Sequence, residues 1–338
     1  MAMGVGVLGA GLTYADSSDL TAADVGREVV REFQSAPGLW ADVEAVAWWA
    51  DWKQSSLAAN RFGTNAIKVD YAIADAPAYE GRAKFGWKWL RTGIDYVQQA
   101  QGGSDGAKAV TYLKMAIDVV DLLPNLEFQY RRTQGSFSGV IIGANNAGLT
   151  GTGTFESIYN DQEANLIYAG RWGLGYRYVG YAIPQDLYVV NTASPNTAVI
   201  AGFQEMAYRG HFIQALFQSE PPPIRDTEGV HLSYRVKAGY GLVQPTGAFL
   251  DQTTATLRTG GFIGAGESLM DRGTAWHLEA EFGADETWRF GGRNILKLGW
   301  GYRYQRFEAT FGASGTYAML GDFRTEFRGP YGYVRWGF

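Results

Sequence analysis

This chain of 338 residues has no cysteine, only three histidines and no long apolar run. Without cysteine, disulfide bonds, thiolate catalysis and cysteine-ligated metals are excluded. No window reaches the roughly 18 consecutive apolar residues of a membrane-spanning helix, because charged, amide or hydroxyl side chains interrupt each candidate. The histidines, His211, His231 and His277, are dispersed along the chain. The sequence therefore predicts no metal site and no cofactor.

The chain also has no large excess of positive or negative charge: it contains 29 basic and 34 acidic residues, and its net charge is -5. No run of Lys or Arg indicates a nucleic-acid-binding surface, so nucleic acid is excluded as a partner. Glycine-rich stretches occur at residues 4–9 and 148–153, but neither lies between a strand and a helix, as a dinucleotide site requires. Nucleotide binding is therefore excluded as well.

Glycine and aromatic residues are abundant instead, and the aromatics recur in pairs such as Trp48 with Trp49 and Tyr302 with Tyr304. Aromatic girdles of a membrane barrel have this composition. From Leu39 onward, apolar and polar residues alternate with a period of two, which is typical of strands with one apolar and one polar face. Where no helix spans the membrane, only a closed barrel satisfies every backbone N–H and C=O in hydrocarbon.

The alternation is clearest over residues 228–243, where Tyr234 and Val236 share one face and Arg235 and Lys237 share the other. A Lys or Arg facing lipid near the bilayer midplane costs about 2–4 kcal/mol, so the basic face is predicted to point inward. Four further segments alternate as clearly, at residues 82–89, 126–131, 276–282 and 296–305. Weaker alternation occurs near residues 38–52, 64–75, 107–122, 153–169, 174–190 and 205–219.

With the C-terminal strand, these segments predict an all-β fold, a single up-and-down antiparallel transmembrane β-barrel of about twelve strands. Ten or fourteen strands are alternatives, because residues 74–81 fit either a turn or a strand. Short links alternate with longer Gly, Ser, Thr and Asn stretches, as such a barrel requires. The short links fall at residues 124–125, 170–173, 221–223 and 291–292, and the longer stretches near 143–153, 191–203, 245–271 and 311–324.

The chain divides into residues 1–37 and a barrel of residues 38–338. The first 15 residues are small and apolar but lack the basic start of a signal peptide, so they are an export-signal remnant or a tail. A short amphipathic helix is predicted to follow from Thr21, where Thr21 and Asp24 provide capping, and to end near Ser35.

The last strand carries a family resemblance. Val334, Trp336 and Phe338 share one face, and Tyr333 and Arg335 share the other. The last residue, Phe338, is therefore an aromatic residue on the apolar face of this strand. This segment resembles the C-terminal assembly signal of Gram-negative outer-membrane β-barrel proteins. The resemblance implies a bacterial outer-membrane location with periplasmic termini. It also implies contact with outer-membrane lipid and lipopolysaccharide, and recognition by the barrel-assembly machinery, while the oligomeric state stays open.

The barrel interior is predicted to be narrow, polar and basic, with the inward cations contacting solute. These cations are Lys68, Arg82, Lys84, Lys88, Lys114, Arg131, Arg177, Arg235, Lys237, Lys297, Arg303 and Arg335, and the inward carboxylates are Asp42, Glu44, Asp70, Asp118, Glu127, Glu279 and Glu281. A basic bore attracts anions, so a passive channel or porin for small, including anionic, solutes is the leading hypothesis. In the alternative, the cations pair with the carboxylates across strands and the barrel is structural.

An enzymatic alternative rests on His231 and Ser233, which lie two residues apart and therefore on one face of a strand. The spacing resembles the His-x-Ser of outer-membrane phospholipase A and of the lipid A 3-O-deacylase, and implies an orienting group such as Glu279. His277 and Glu281 are alternatives for that role. A resemblance to omptin-like proteases rests only on Asp118, Asp121 and His211. The sequence therefore favours a protein that is not an enzyme.

Overall fold

The computed structural model describes residues 39–59, 66–87, 89–100, 108–144, 149–151, 154–182, 187–191, 198–201, 206–219, 229–247, 271–290, 294–310 and 319–337, and a few positions between 250 and 266. The N-terminal helix and the export-signal remnant predicted from the sequence lie outside these residues. Within the described ranges, no helix combines the length and the apolar character needed to cross a membrane.

The described segments are almost entirely β-strand. The strands are β1 (Leu39–Ala59), β2 (Ala66–Trp87), β3 (Leu90–Ala100), β4 (Lys108–Leu123), β5 (Leu126–Ala144), β6 (Leu149–Gly151), β7 (Thr154–Tyr168), β8 (Trp172–Ala182), β9 (Leu187–Asn191), β10 (Ala198–Ala201), β11 (Met206–Gln218), β12 (Gly229–Pro245), β13 (Gly273–Phe290), β14 (Asn294–Thr310) and β15 (Met319–Gly337). Strands β6, β9 and β10 form a separate 3-stranded sheet. The other strands form one 12-stranded sheet, which confirms the predicted strand number.

The large sheet closes on itself between the first and last strands. Each of its strands pairs antiparallel with the next in the chain, and β15 returns to pair with β1. At this seam Glu44 lies opposite Arg335, and Arg335 Nη2 is 2.6 Å from Asp42 Oδ2. Closure leaves no unpaired edge, so the fold is a closed up-and-down barrel, as predicted.

The two ends of the barrel differ in their connections. The end that holds Leu39 and Gly337, called the terminal end below, has tight turns with positive φ at Asn125 (62°) and Ala169 (50°). The Ala169 N–H donates to the Asn125 carbonyl at 2.7 Å, which ties two neighbouring turns together. The opposite end, called the loop end, is where β8 ends at Ala182 and β11 begins at Met206. The short links predicted at residues 124–125 and 170–173 are confirmed.

One part of the strand assignment is wrong. The segments predicted near residues 64–75 and 82–89 are both parts of β2, and β3 (Leu90–Ala100) was not predicted. Residues 74–81, which fitted either a turn or a strand, belong to β2. Pro77 lies there opposite Trp49, just beyond Ala78, where the pairing of β2 with β3 ends. A proline without an N–H is tolerated at such a position because no ladder hydrogen bond on that side is lost.

The outer face carries large apolar side chains around the barrel. Leu232 is 80% exposed and Trp300 is 71% exposed, and the predicted outward position of Val334 and Trp336 is confirmed. On β14 the alternate residues from Leu296 to Tyr304 face outward, and at about 3.3 Å per residue on a tilted strand they span roughly 20 Å. This height is close to the apolar band of about 25 Å in membrane barrels. Such a surface suits hydrocarbon better than water.

The inner face uses glycine to accommodate large side chains. A Cβ built on Gly299 would overlap the ring of Tyr333, and one built on Gly239 would overlap the ring of His277. Both glycines point into the barrel, and the rings lie across them from the next strand. The abundance of glycine therefore reflects a crowded interior as well as turns.

Candidate functional site in the barrel lumen

The predicted lumen residues lie on the inner face wherever their side chains are described. They are Arg82, Lys84, Lys114, Arg131, Arg177, Arg235, Lys237, Glu279, Glu281, Lys297, Arg303 and Arg335. Lys88 lies outside the described residues, and the side chains of Lys68 and Asp70 are not described. The alternation of the sequence thus assigned the faces of the strands correctly.

The sequence analysis missed buried inward carboxylates: Glu80, Asp95, Asp161, Glu163 and Asp285. Glu80 and Asp95 lie in the region where the strands were misassigned. On β7 the alternation of Asp161, Glu163 and Asn165 was the signal that would have revealed the other two. With these groups included, the described inner face is mixed in sign and not predominantly basic.

Arg177 on β8 is the centre of a network across one half of the lumen. Its Nε and Nη2 atoms bind Asp161 Oδ1 and Oδ2 on β7 at 2.9 and 2.6 Å. Its Nη1 atom lies 2.6 Å from Glu279 Oε1 on β13 and 3.1 Å from His277 Nδ1. Strand β13 is three strands further around the sheet, so the contact with Glu279 crosses the lumen.

Lys237 on β12 completes the first network, which consists of Asp161, Glu163, Arg177, Lys237 and Glu279. Its Nζ atom lies 2.9 Å from Glu163 Oε2 and 2.7 Å from Glu279 Oε2. Gln214 donates to Glu163 Oε2 at 3.1 Å. Each cation in the network therefore contacts two carboxylates, and each carboxylate contacts at least one cation.

A second network, which consists of Glu44, Glu80, Arg82, Glu281 and Arg303, occupies the other half. Arg303 Nη1 lies 2.9 Å from Glu80 Oε2, and Arg303 Nε lies 3.5 Å from Glu281 Oε1. Arg82 lies 2.6 Å from Glu44 and 2.7 Å from Glu80. Since Arg303 is on β14 and Glu80 is on β2, this network also crosses the lumen.

The two networks meet on β13, where Glu279 belongs to the first and Glu281 to the second. These residues are two positions apart and both face inward. Removal of one partner of a buried ion pair costs about 3–5 kcal/mol, because it leaves a charge without compensation. The networks therefore link side chains of the inner wall to one another through the interior of the barrel.

A cavity of about 100 Å³ lies on the loop side of the first network. Tyr159 and Val179 line it, and each is two residues nearer the loop end of its strand than Asp161 and Arg177, respectively. Its charged lining residues are Lys114, Asp161, Glu163, Arg177, Lys237, Glu279 and Arg306. All of these except Lys114 and Arg306 belong to the first network, and Arg306, which borders the cavity although it belongs to the outward set of β14, pairs with Glu308. Within the described part of the chain, Lys114 is the one charged lining residue without an ion pair.

The histidine and serine of the enzymatic alternative lie on one inner face, as predicted. His231 Nδ1 lies 3.5 Å from Asp285 Oδ1, and Asp285 Oδ2 accepts a hydrogen bond from Tyr333 at 3.1 Å. Glu279 belongs instead to the first network. The structure therefore places Asp285, rather than Glu279, beside His231.

The residues of the omptin resemblance are not brought together. His211 lies on the outer face, where its Nδ1 atom is 2.5 Å from the Tyr176 hydroxyl. Asp118 lies on the inner face and pairs with Arg131. The side chain of Asp121 is not described.

No protein-family model matches the chain, and no curated protein matches it in sequence. Among solved structures, it is similar to the toluene transporter TodX of Pseudomonas putida, with 8% identity over 90% of each chain and a TM-score of 0.28. The translocator domain of the autotransporter NalP from Neisseria meningitidis gives 10% identity over 94% of this chain and 95% of that chain, with a TM-score of 0.35. A FadL homologue of Pseudomonas aeruginosa gives 10% identity over 89% and 90%, with a TM-score of 0.32. Likeness this low decides no function.

Proposed function

We propose that the protein is a β-barrel of the bacterial outer membrane that acts as a narrow passive channel for small solutes, with a preference for anions. The observation that carries the proposal is the division of the closed barrel into an apolar outer face and a charged inner face with a cavity. The outer face suits lipid, and the inner face suits water and polar solutes. The terminal end faces the periplasm, and lipid and lipopolysaccharide contact the outer face. The barrel-assembly machinery inserts the chain.

The two ion-pair networks act as the constriction of this channel. They bridge the lumen in both halves, so passage requires at least one cross-lumen pair to separate. The preference for anions does not come from an excess of positive charge, because the inner face is mixed in sign; its support is Lys114, the one described lining cation without a carboxylate at ion-pair distance. Charged rings and unmatched charges of this kind set the selectivity of narrow pores.

Conductance in planar lipid bilayers tests the proposal. A variant carrying Glu80→Ala and Glu279→Ala removes the carboxylates of two of the three described ion pairs that join strands three apart, and it leaves the third, Lys237 with Glu163. Arg303 keeps Glu281, Arg82 keeps Glu44 and Arg177 keeps Asp161, so no cation loses all its partners. We expect a larger single-channel conductance than for the wild type. Under a KCl gradient, the reversal potential should show anion preference. Glu308→Ala, which removes a carboxylate from the outer face, is the matched control and should conduct like the wild type.

The competing function is a structural or assembly-associated barrel, and the ion pairs that bridge the lumen favour it. Inward charges that satisfy one another fill a barrel without any role in transport. The same experiment separates the two functions. If wild type and variant are folded and neither conducts, the channel is excluded and the structural function is favoured. A cation-selective reversal potential contradicts only the anion preference.

A further inference from the structure

The loop-side cavity combines one unmatched ammonium group with matched charges. Arg177 and Lys237 each contact two carboxylates, so neither is available to attract a further anion. Lys114 on β4 also lines the cavity, and it makes no ion pair with any described residue. Its neighbours on adjacent strands in the ladder are Asp95 and Thr133. Besides the Arg306–Glu308 pair, the charged lining consists of three cations and three carboxylates, and a negatively charged ligand would give the Lys114 ammonium group a direct ion-pair partner.

The rest of the lining is rich in aromatic rings. Trp48, Tyr112, Phe307 and Phe327 all border the cavity, and Trp48 is only 5% exposed. The indole N–H of Trp48 donates to a backbone carbonyl, that of Gly329, at 3.2 Å, so its polar atom is already bonded. The rings of Trp48 and Phe327 lie 6.3 Å apart between centroids. These rings offer apolar and stacking contact to a flat ligand.

We propose that this cavity binds a small aromatic carboxylate, with the carboxylate paired to Lys114 and the ring against the aromatic lining. The inference rests on the proposed function and names the class of solute that the channel takes. A cavity of about 100 Å³ suits a single ring with one short substituent, whereas drug-sized ligands occupy pockets of about 300 Å³ or more. One charged group and one apolar wall are the usual elements of a selective small-molecule site.

Isothermal titration calorimetry on the detergent-solubilised full chain tests the proposal, with benzoate as the probe. Acetate keeps the carboxylate without the ring, and benzyl alcohol keeps the ring without the charge. We expect benzoate to bind at least about tenfold more tightly than either, since each removes one of the two contacts. Lys114→Met should weaken benzoate by about tenfold or more, and Lys114→Arg, which keeps the charge, should retain most of the affinity.

Two further variants complete the design. Arg209→Met removes a cation that is exposed on the outer face, and it should leave benzoate binding unchanged. Phe327→Leu keeps an apolar side chain but removes a ring of the lining, and it should weaken benzoate more than acetate. It also tests the site independently if Lys114→Met does not fold. Unchanged benzoate affinity in a folded Lys114→Met variant, or equal affinity for acetate or benzyl alcohol, overturns the proposal.

Binding measured in detergent and conductance measured in bilayers test the ligand site and the channel function separately. A barrel that conducts but does not bind benzoate overturns this inference and leaves the channel function standing. A barrel that binds benzoate through Lys114 but conducts no ions, even as the Glu80→Ala and Glu279→Ala variant, overturns the channel function and supports the site.

Discussion

Arg177 Nη1 on β8 lies 2.6 Å from Glu279 Oε1 on β13, although these strands are separated by two others in the barrel. Both side chains are inward, and the same arginine holds Asp161 with two nitrogen atoms. The contact therefore joins two parts of the wall that lie three strands apart, through the interior of the barrel. Its strength bears on both the stability of the barrel and the width of the path through it.

Arg177→Met is expected to destabilise the folded barrel by about 3–5 kcal/mol, because it leaves the buried carboxylate of Asp161 without its cation. Equilibrium unfolding by urea in lipid vesicles, followed by tryptophan fluorescence, measures this loss. Arg306→Met on the outer face removes a more exposed arginine and should cost less than about 1 kcal/mol. Equal effects of the two substitutions would show that the buried pair of Arg177 and Asp161 contributes no special stability.

Gly299→Ala is expected to destabilise the barrel by about 1–3 kcal/mol, because the new Cβ would overlap the Tyr333 ring. Gly332→Ala is the matched control, since its Cβ would meet its nearest atom at an ordinary 3.7 Å. The free energy of unfolding distinguishes them. In a double-mutant cycle, Tyr333→Ala should recover part of the loss caused by Gly299→Ala. Additive effects would contradict packing of the ring on this glycine.

Trp300→Arg is expected to destabilise the inserted barrel by about 2–4 kcal/mol, because Trp300 lies in the middle of the outward apolar residues of β14. Thr310→Arg places the same charge on the same face at the loop end of that strand and should be nearly neutral. The folded fraction in lipid vesicles measures both effects. If Trp300→Arg is tolerated as well as Thr310→Arg, the outer face does not contact hydrocarbon.

Much of the wall was predictable from local alternation, because the period of a strand assigns each residue to a face. Arg235 and Lys237 point inward, and Tyr234 and Val236 point outward, as the cost of a charge in lipid requires. Strand β3 was not predicted, although its apolar and polar residues alternate, because it contains Gly93 and glycine is typical of turns. It is an inner-face position, and Lys84 packs against it.

The partners of the inward charges were not predictable, because they depend on how the barrel closes. Arg303 binds Glu80 across 223 positions of sequence, and Arg177 binds Glu279 across three steps of the sheet. Alternation assigns faces but does not determine which strands oppose each other across the lumen. Lys114 can be identified as the lining cation without an ion pair only when the ion pairs of the other charged lining residues are known.

The seam between β1 and β15 has a kinetic consequence. The pair between Asp42 and Arg335 joins positions 293 residues apart, and Asp42 is fully buried. Contacts of such long sequence separation form slowly, because the whole intervening chain must be ordered first. Before β15 arrives, β1 is an open edge whose inward carboxylate has no cation from that side. Completion of the barrel is therefore expected to be the slow, cooperative last step of assembly, because β1 gains its second hydrogen-bonded neighbour only when β15 pairs with it.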